Sequence, residues 1–184
     1  PRAVPFGNPV FGLCVLVLNV GLSAYGFIHA ASPRLKEVTI ELPHLEKEVT
    51  AVQLTDVHLG HFRGRKHLQK LVRMVNAAQP EVVFFTGDFL ESWYNCSEEA
   101  VSPMKDLTAP VFFVDGNHDT YVNAAYVKDL CRKAGMHVLE NEAAECAGLQ
   151  VIGLDYMVAD GNSRDDMHAA LGHETIQSVM PRMG

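Results

Sequence analysis

The stretch "VVFFTGDFLE" (residues 82–91) places an apolar run directly before a glycine and a carboxylate. Valine and phenylalanine favour β-strands, and the run shows no polar alternation, so it predicts a buried strand. Gly87 allows a tight turn and a close approach of another backbone, and Asp88 lies where the strand gives way to a loop. Taken alone, Gly-Asp after a strand is also ordinary turn chemistry, and Asp88 could serve only as a helix cap.

Two further apolar runs end in polar side chains in the same way, "TAVQLTDVH" (residues 50–58) and "PVFFVDGNHD" (residues 110–119). The polar residues that end these runs are Asp56 and His58 in the first, and Asn117, His118 and Asp119 in the second. Helical patterns at residues 64–79 and 122–133 separate the strands. This alternation predicts an α/β domain with a parallel sheet, in which ligands gather at the carboxyl ends of the strands.

The polar residues after the first two strands have the chemistry of metal ligands. Asp56 and His58 are separated by one residue, which in extended geometry points both side chains to the same side. A carboxylate oxygen and an imidazole nitrogen can then share one cation. Asp88 has two carboxylate oxygens and can bridge two cations.

The block after the third strand combines a ligand with a proton donor. Asn117 supplies a neutral oxygen, and His118 can hold a proton near neutral pH. Asp119 is placed in the sequence to orient His118. Each block is weak by itself, but three of them in order, each after a buried strand, indicate one shared site.

The blocks "LTDVHLG", "TGDF" and "GNHD" resemble the first three signature blocks of the calcineurin-like metallophosphoesterase family, in order and at similar spacing. The resemblance spans residues 38–156 and is greatest to the membrane-anchored subgroup, the transmembrane proteins with a metallophosphoesterase domain. It implies a sandwich of sheets flanked by helices, preceded by a transmembrane helix. The expected activity is hydrolysis of a phosphoester by metal-activated water.

The resemblance also implies a role for each residue of the blocks. Asp56 and His58 would bind a first divalent ion, and Asp88 would bridge it to a second. Asn117 would bind the second ion, and His118 would contact the phosphate or protonate the leaving group. Asp119 would support His118. The implied cofactors are two ions of manganese, iron or zinc.

The substrate class stays open at this point. A phosphomonoester, a phosphodiester or a pyrophosphate would each suit the site, and a membrane tether makes a lipid-linked substrate attractive. The alternative is a non-catalytic, membrane-attached binding module that retains a partial metal site.

The later blocks of the family pattern are not recognisable in the chain. The family continues with a further histidine and a Gly-His-x-His block, whereas "LGHETI" (residues 171–176) offers His173 with Thr175 in place of the second histidine. His173 is therefore expected to be a solvated helix residue and not a ligand. We expect residues 34–184 to be the N-terminal part of the domain, with the remaining ligands beyond Gly184.

The N-terminal segment, residues 1–33, differs in composition from the rest. It has no Asp, Glu, Lys or Arg from Ala3 to Pro33, which is long enough to cross a bilayer core of about 30 Å. We interpret it as a transmembrane anchor. A signal peptide or a buried helix of a soluble protein would share this composition. The flanking charges do not assign a side of the membrane.

Composition excludes some other classes. The 184 residues are 48% hydrophobic and 20% charged, which is typical of a globular domain. A net charge of −7 argues against nucleic acid as a specific partner, because neutralising phosphates needs a basic surface. Four cysteines without CxxC spacing argue against a zinc knuckle or a disulfide scaffold.

The weaker patterns predict the remaining elements. They are an edge strand at residues 38–42, a helix at 97–107 interrupted by Pro103, short strands at 136–140 and 149–156, and a last helix at 164–180.

Overall fold

The computed structural model describes residues 9–42 and 45–156. The chain divides into two compact units between Ile40 and Glu41. The domain boundary expected between residues 33 and 34 stays a prediction. The helix predicted at residues 164–180 lies outside the described residues.

The first unit contains one long helix, α1, at Pro9–Ala30. Its 22 residues span about 33 Å at about 1.5 Å per residue, close to the thickness of a bilayer core. None of them is buried against protein. Within the described residues, α1 is long and apolar enough to cross a membrane, which fits the predicted anchor.

The second unit is built on a four-stranded parallel sheet. Its strands are β1 (Ala51–Leu54), β2 (Val82–Thr86), β3 (Val111–Val114) and β4 (His137–Val138), in that spatial order. Leu54 lies opposite Phe85, and Thr86 lies opposite Val114. The carboxyl ends of the first three strands therefore lie side by side, and the predicted parallel α/β sheet is confirmed.

Helices cover one face of this sheet. They are α2 (Arg65–Ala77), α3 (Glu98–Val101), a short 3-10 helix (Ser102–Asp106) and α4 (Asn117–Lys133). The predicted apolar face of α2 is buried, with Leu68 fully enclosed. Phe85 and Phe113 meet it from the sheet, with ring centroids 5.5 Å apart. The helical spacing of the apolar residues in α2 therefore predicts correctly which face of the helix is buried in the core.

A β-hairpin packs on the opposite face. Its strands are β5 (Glu142–Cys146) and β6 (Leu149–Gly153), paired antiparallel. Val151 of β6 packs with Val82 and Phe112 of the sheet in a second apolar cluster. The sheet is therefore buried on both faces, which explains why its strands lack polar alternation.

Strand β5 was not predicted from the sequence. Its sequence, EAAEC, has low intrinsic preference for a strand. It forms because Ala147 and Gly148 adopt left-handed φ values of 54° and 79°, which a tight hairpin turn requires, and because β6 supplies a partner.

Two other predictions of secondary structure need correction. The edge strand at residues 38–42 is wrong: these residues form no regular structure, and Ile40 is 72% exposed. Helix α4 begins at Asn117, five residues before the predicted start at Val122. Non-helical backbone at Asn123 interrupts it, and the Asn123 side chain caps the second part by accepting from the Tyr126 N–H at 3.1 Å. The pattern therefore located only the second part.

The exposure of α1 generates a prediction about membrane attachment. Replacing Leu18 and Leu22 together with arginine should release the chain from membranes, because each arginine near a helix centre costs about 2.5 to 3.5 kcal/mol of insertion energy. The measurement is the fraction of chain that stays in the membrane pellet after alkaline carbonate extraction.

The matched control places the same two charges after the helix, at Ala31 and Ser32, where arginine side chains can reach the interface. This control should remain in the pellet. Retention of the Leu18→Arg/Leu22→Arg variant at the wild-type level would contradict a membrane-spanning α1.

Candidate metal centre

Three loops converge at the carboxyl edge of the sheet, each following one parallel strand. They bring together His58 after β1, Asp88 after β2 and His118 after β3. One donor atom from each lies within 4.8 Å of the other two. Three of the six predicted site residues, one from each block, thus lie in one cluster.

The distances within the cluster suit an ion shared between its donors. His58 Nε2 lies 3.6 Å from Asp56 Oδ1 and 3.7 Å from Asp88 Oδ2. These separations are too long for hydrogen bonds. A divalent ion with ligand distances of about 2.0 to 2.2 Å can lie between two donors so spaced. His58 Nδ1, in contrast, is buried and has no hydrogen-bond partner among the described residues, so the polar surroundings of the ring that the structure describes lie on its Nε2 side.

The charges at the site also favour a cation. Within the described residues, neither Asp56 nor Asp88 forms an ion pair with lysine or arginine. Arg63 lies nearby, but its guanidinium donates to the carbonyl oxygens of Asp56 and Val57, at 3.4 Å each. Two carboxylates thus face one imidazole without a basic partner. The residues present therefore fit a divalent metal ion.

The backbone of these residues is held in an unusual conformation. Asp56, His58 and Asp88 have φ values of 54°, 48° and 53°, in the left-handed region. For residues other than glycine this region costs about 1 to 2 kcal/mol each. Backbone hydrogen bonds hold it in place, from Asp56 N to Gly87 O at 3.3 Å and from His58 N to Asp88 O at 3.0 Å. Such strain is typical of functional sites.

Two glycines allow the second and third loops to touch. A Cβ atom on Gly87 would lie 2.7 Å from Gly116 N. A Cβ on Gly116 would lie 2.6 Å from Asp88 N and would collide with the Asp88 carboxylate. The close approach expected at Gly87 is therefore observed, and its partner is Gly116.

Asp88 connects this contact to the histidines. Its Oδ1 accepts a hydrogen bond from the His118 backbone N–H at 3.0 Å, and its Oδ2 faces His58. The rings of His58 and His118 meet edge to face, with centroids 4.6 Å apart. Each Asp88 oxygen has two lone pairs, so Oδ1 can still bind a cation beside His118.

Asp119 makes contacts different from those expected. Its carboxylate is fully buried and accepts hydrogen bonds from the backbone N–H groups of Phe89, Leu90 and Gly116, at 2.9 to 3.0 Å. In the described part of the chain, no hydrogen bond joins it to the His118 imidazole. Burial raises the pKa of the Asp119 carboxyl, although the hydrogen bonds from the three N–H groups oppose this rise. Asp119 therefore holds two loops together and does not orient the histidine ring.

The remaining predicted residues lie around the cluster. Asp56 is exposed, and Asn117 is partly exposed as the first residue of α4. The Asn117 amide makes no hydrogen bond to other described residues. The His61 ring stacks on Tyr94, with centroids 4.5 Å apart, in keeping with a surface loop histidine. His173 lies outside the described residues.

Sequence reasoning missed the role of Gly116. The available signal was a glycine directly before "NHD" at a strand end, which is the same position relative to a ligand that Gly87 has before Asp88. Without knowledge of the facing loop, this glycine is indistinguishable from an ordinary helix N-cap.

The contact between the glycine loops predicts the effect of one added methyl group. Gly116→Ala should lower the free energy of unfolding by about 1 to 3 kcal/mol, because the Cβ overpacks the Asp88 loop. Chemical denaturation of the metal-free protein measures this change.

Gly64→Ala is the matched control. Gly64 is also a helix N-cap with a φ of −114°, as Gly116 is, but the atoms nearest to a Cβ there belong to the Asn95 side chain, at 3.2 Å or more, and not to backbone. Equal losses in the two variants would show that the contact with Asp88 has no special importance.

Comparison with known proteins agrees with this geometry. Residues 49–176 match the family described as calcineurin-like phosphoesterase. A metallophosphoesterase of Campylobacter jejuni, described as uncharacterized, is 33% identical over 79% of the chain and 40% of its own length. The transmembrane protein with metallophosphoesterase domain of Danio rerio is 34% identical over 78% of the chain and 35% of its own length. The metallophosphoesterase YkuE of Bacillus subtilis, also described as uncharacterized, is 27% identical over 97% of the chain and 64% of its own length.

The chain thus spans about two fifths or less of the first two of these relatives. The family match covers most of the chain, including all three loops of the metal centre. It agrees with the parallel sheet, the clustered histidine and aspartate donors, and the fit to a divalent cation. This chain therefore belongs to the calcineurin-like metallophosphoesterase family.

Proposed function

We propose that this chain forms the metal-binding core of a phosphoester hydrolase that uses two divalent metal ions. The observation that carries the proposal is the convergence of His58, Asp88 and His118, whose donor atoms lie within 4.8 Å of one another. Membership of a family of metal-dependent phosphoesterases supports it. When bound, the ions would lower the pKa of water and neutralise charge on the phosphoryl oxygens.

Residues from different loops would bind the two ions. Asp56 and His58 would hold the first ion, since Asp56 Oδ1 and His58 Nε2 lie 3.6 Å apart. Asp88 would contribute to the binding of both ions. Asn117, at the start of α4, would contribute its amide oxygen to the second ion. Mixed nitrogen and oxygen donors suit manganese, iron and zinc alike.

His118 acts on the phosphoryl group. Its ring is partly buried and lies against His58, so it would border the bound ions. A histidine there can hydrogen-bond a phosphoryl oxygen or give a proton to the leaving oxygen. Asp119 acts as a positioning residue, because it fastens the loop of His118 to the loop of Asp88 through backbone N–H groups.

An exposed aromatic side chain beside His118, and two more in the segment after Asp88, favour a substrate with an apolar portion. Tyr121 is 75% exposed, and its ring lies 5.8 Å from that of His118. Trp93 and Tyr94, which follow the Asp88 loop, are 60% and 56% exposed. Among phosphomonoesters, phosphodiesters and pyrophosphates, we favour one linked to a lipid, since aromatic side chains suit amphiphilic partners and α1 fits a membrane anchor.

The test is hydrolysis of a chromogenic phosphodiester by the full-length protein, purified in detergent and supplied with manganese. Turnover that EDTA abolishes and manganese restores supports the enzyme. Metal binding without turnover of monoester, diester or pyrophosphate substrates would instead favour a non-catalytic, membrane-attached binding module.

Asp88→Asn should lower metal occupancy far more than His61→Ala. A carboxylate that serves two ions loses charge and donor strength when it becomes an amide, so manganese affinity should fall at least about 10-fold. The control, His61→Ala, removes a loop histidine that stacks on Tyr94 and should leave occupancy unchanged. Metal analysis and calorimetric titration measure both, and full occupancy in Asp88→Asn would refute the assignment.

His118→Ala should lower turnover by about 10² to 10⁴ while leaving most of the metal in place, because its proposed work is proton transfer or phosphate contact. The loss should be largest on substrates with poor leaving groups, which need a proton most. Kinetics and metal content are measured on the same preparation. Loss of metal in parallel with activity would show that His118 is a ligand, as its place in the cluster also permits.

A further inference from the structure

A buried ammonium group lies behind the segment Gly116–His118, which connects β3 to α4 and includes the first two residues of that helix. It belongs to Lys128 of α4, whose side chain is 6% exposed. Its Nζ lies 3.2 Å from Asp115 Oδ2, 3.1 Å from Glu140 Oε1 and 2.6 Å from Asp155 Oδ2. The Asp115 side chain is only 2% exposed, so the Lys128 ammonium group is needed to compensate the buried negative charge of its carboxylate.

The three carboxylates come from three separate connections of the fold. Asp115 directly precedes Gly116 in the loop between β3 and α4. Glu140 follows β4, and Asp155 follows β6. One ammonium group therefore fastens the His118 loop to the ends of two other strands.

Backbone hydrogen bonds reinforce these attachments. Asp115 Oδ1 accepts from the Tyr156 N–H at 3.2 Å, so both oxygens of this carboxylate are engaged. The Asp155 N–H donates to Asn141 Oδ1 at 3.1 Å. The loop carrying His118 is thus held from behind by Lys128 and from the front by Asp88, which accepts from the His118 N–H.

Lys128 keeps its charge in this position. Burial by itself would lower the pKa of the ammonium group, but hydrogen bonds to Asp155 and Glu140 and the charge of Asp115 raise it above its ordinary value. Glu140 is also paired with Arg132 and is partly exposed, so it depends less on Lys128 than Asp115 does.

We propose that Lys128 is a positioning residue: through Asp115 it fixes the Gly116–His118 loop against the Asp88 carboxylate. Without this attachment the loop would open more often, and Asn117 and His118 would lose their alignment with Asp88. Among the described residues, the loop after β1 has no hydrogen bond or ion pair with Lys128 or Asp115, so it would keep its conformation. The consequence for catalysis rests on the proposed function, whereas the structural effect does not.

The test is hydrogen–deuterium exchange of the metal-free, full-length protein. Lys128→Met leaves Asp115 buried without its cation and risks misfolding. The double variant Lys128→Met/Asp115→Asn removes both charges and keeps an oxygen to accept from Tyr156 N–H. In this variant, amides at residues 116–121 should exchange at least about tenfold faster. The amides of Phe89 and Leu90, which donate to the Asp119 carboxylate, should also exchange faster, whereas those at residues 56–60 should keep the wild-type rate.

Two further variants separate positioning from general stability. Lys133→Met removes an exposed lysine of the same helix, paired with Glu98 and Asp129, and should leave exchange unchanged. Lys128→Arg keeps the charge and should restore part of the protection. Wild-type exchange at residues 116–121 in the double variant would overturn the proposal, as would equal acceleration in all three loops.

Activity is measured separately, so that the two proposals can fail independently. If the wild-type protein hydrolyses a chromogenic phosphodiester with manganese, the double variant should lose at least about tenfold in kcat, with a smaller change in KM. An unchanged kcat with faster exchange would restrict Lys128 to the structure and overturn its catalytic consequence. An inactive wild type would refute the proposed function, and exchange would still decide the role of Lys128.

Discussion

The buried carboxylate of Asp119 joins the two loops on which the site depends. It is fully buried, and it accepts from the backbone N–H groups of Phe89 and Leu90 in one loop and of Gly116 in the other. Hydrogen bonds to a charged acceptor are among the stronger ones in proteins, and here they satisfy backbone donors that have no place in a sheet. They hold Gly87 and Gly116 in contact, and this contact in turn sets Asp88 beside His118.

The parallel sheet aligns the ends of the strands from which the three loops begin. Strands β1, β2 and β3 have four or five residues each and pair in parallel with neighbouring ends. Because helices and the β5–β6 hairpin bury both faces, the strands cannot slide without exposing apolar side chains. A rigid sheet thus carries loops whose own backbone is strained, and the left-handed residues at Asp56, His58 and Asp88 remain in place.

The carboxylates at and near the carboxyl edge of the sheet fall into two groups according to their partners. Asp115 and Asp155 are neutralised by Lys128, behind the loop. Asp56 and Asp88, in front of it, face His58 and have no lysine or arginine partner among the described residues. This separation keeps the nearest buried cation out of the metal centre, so the unpaired charge in front remains available to a divalent ion.

The sequence by itself determined the three strands, the parallel α/β architecture and the polar residues at each strand end, because hydrophobic runs and the residues that follow them are local features. It did not predict β5, whose residues form a strand only when they pair with β6. It also did not predict the first part of α4, because the non-helical backbone at Asn123 separates it from the rest of the helix. Only the tertiary structure decided that Asp119 accepts hydrogen bonds from backbone N–H groups about thirty residues away. It also decided that Lys128 forms ion pairs with three carboxylates from separate parts of the chain. These contacts join residues that are far apart in the chain, and their partners become known only when the strands are placed side by side.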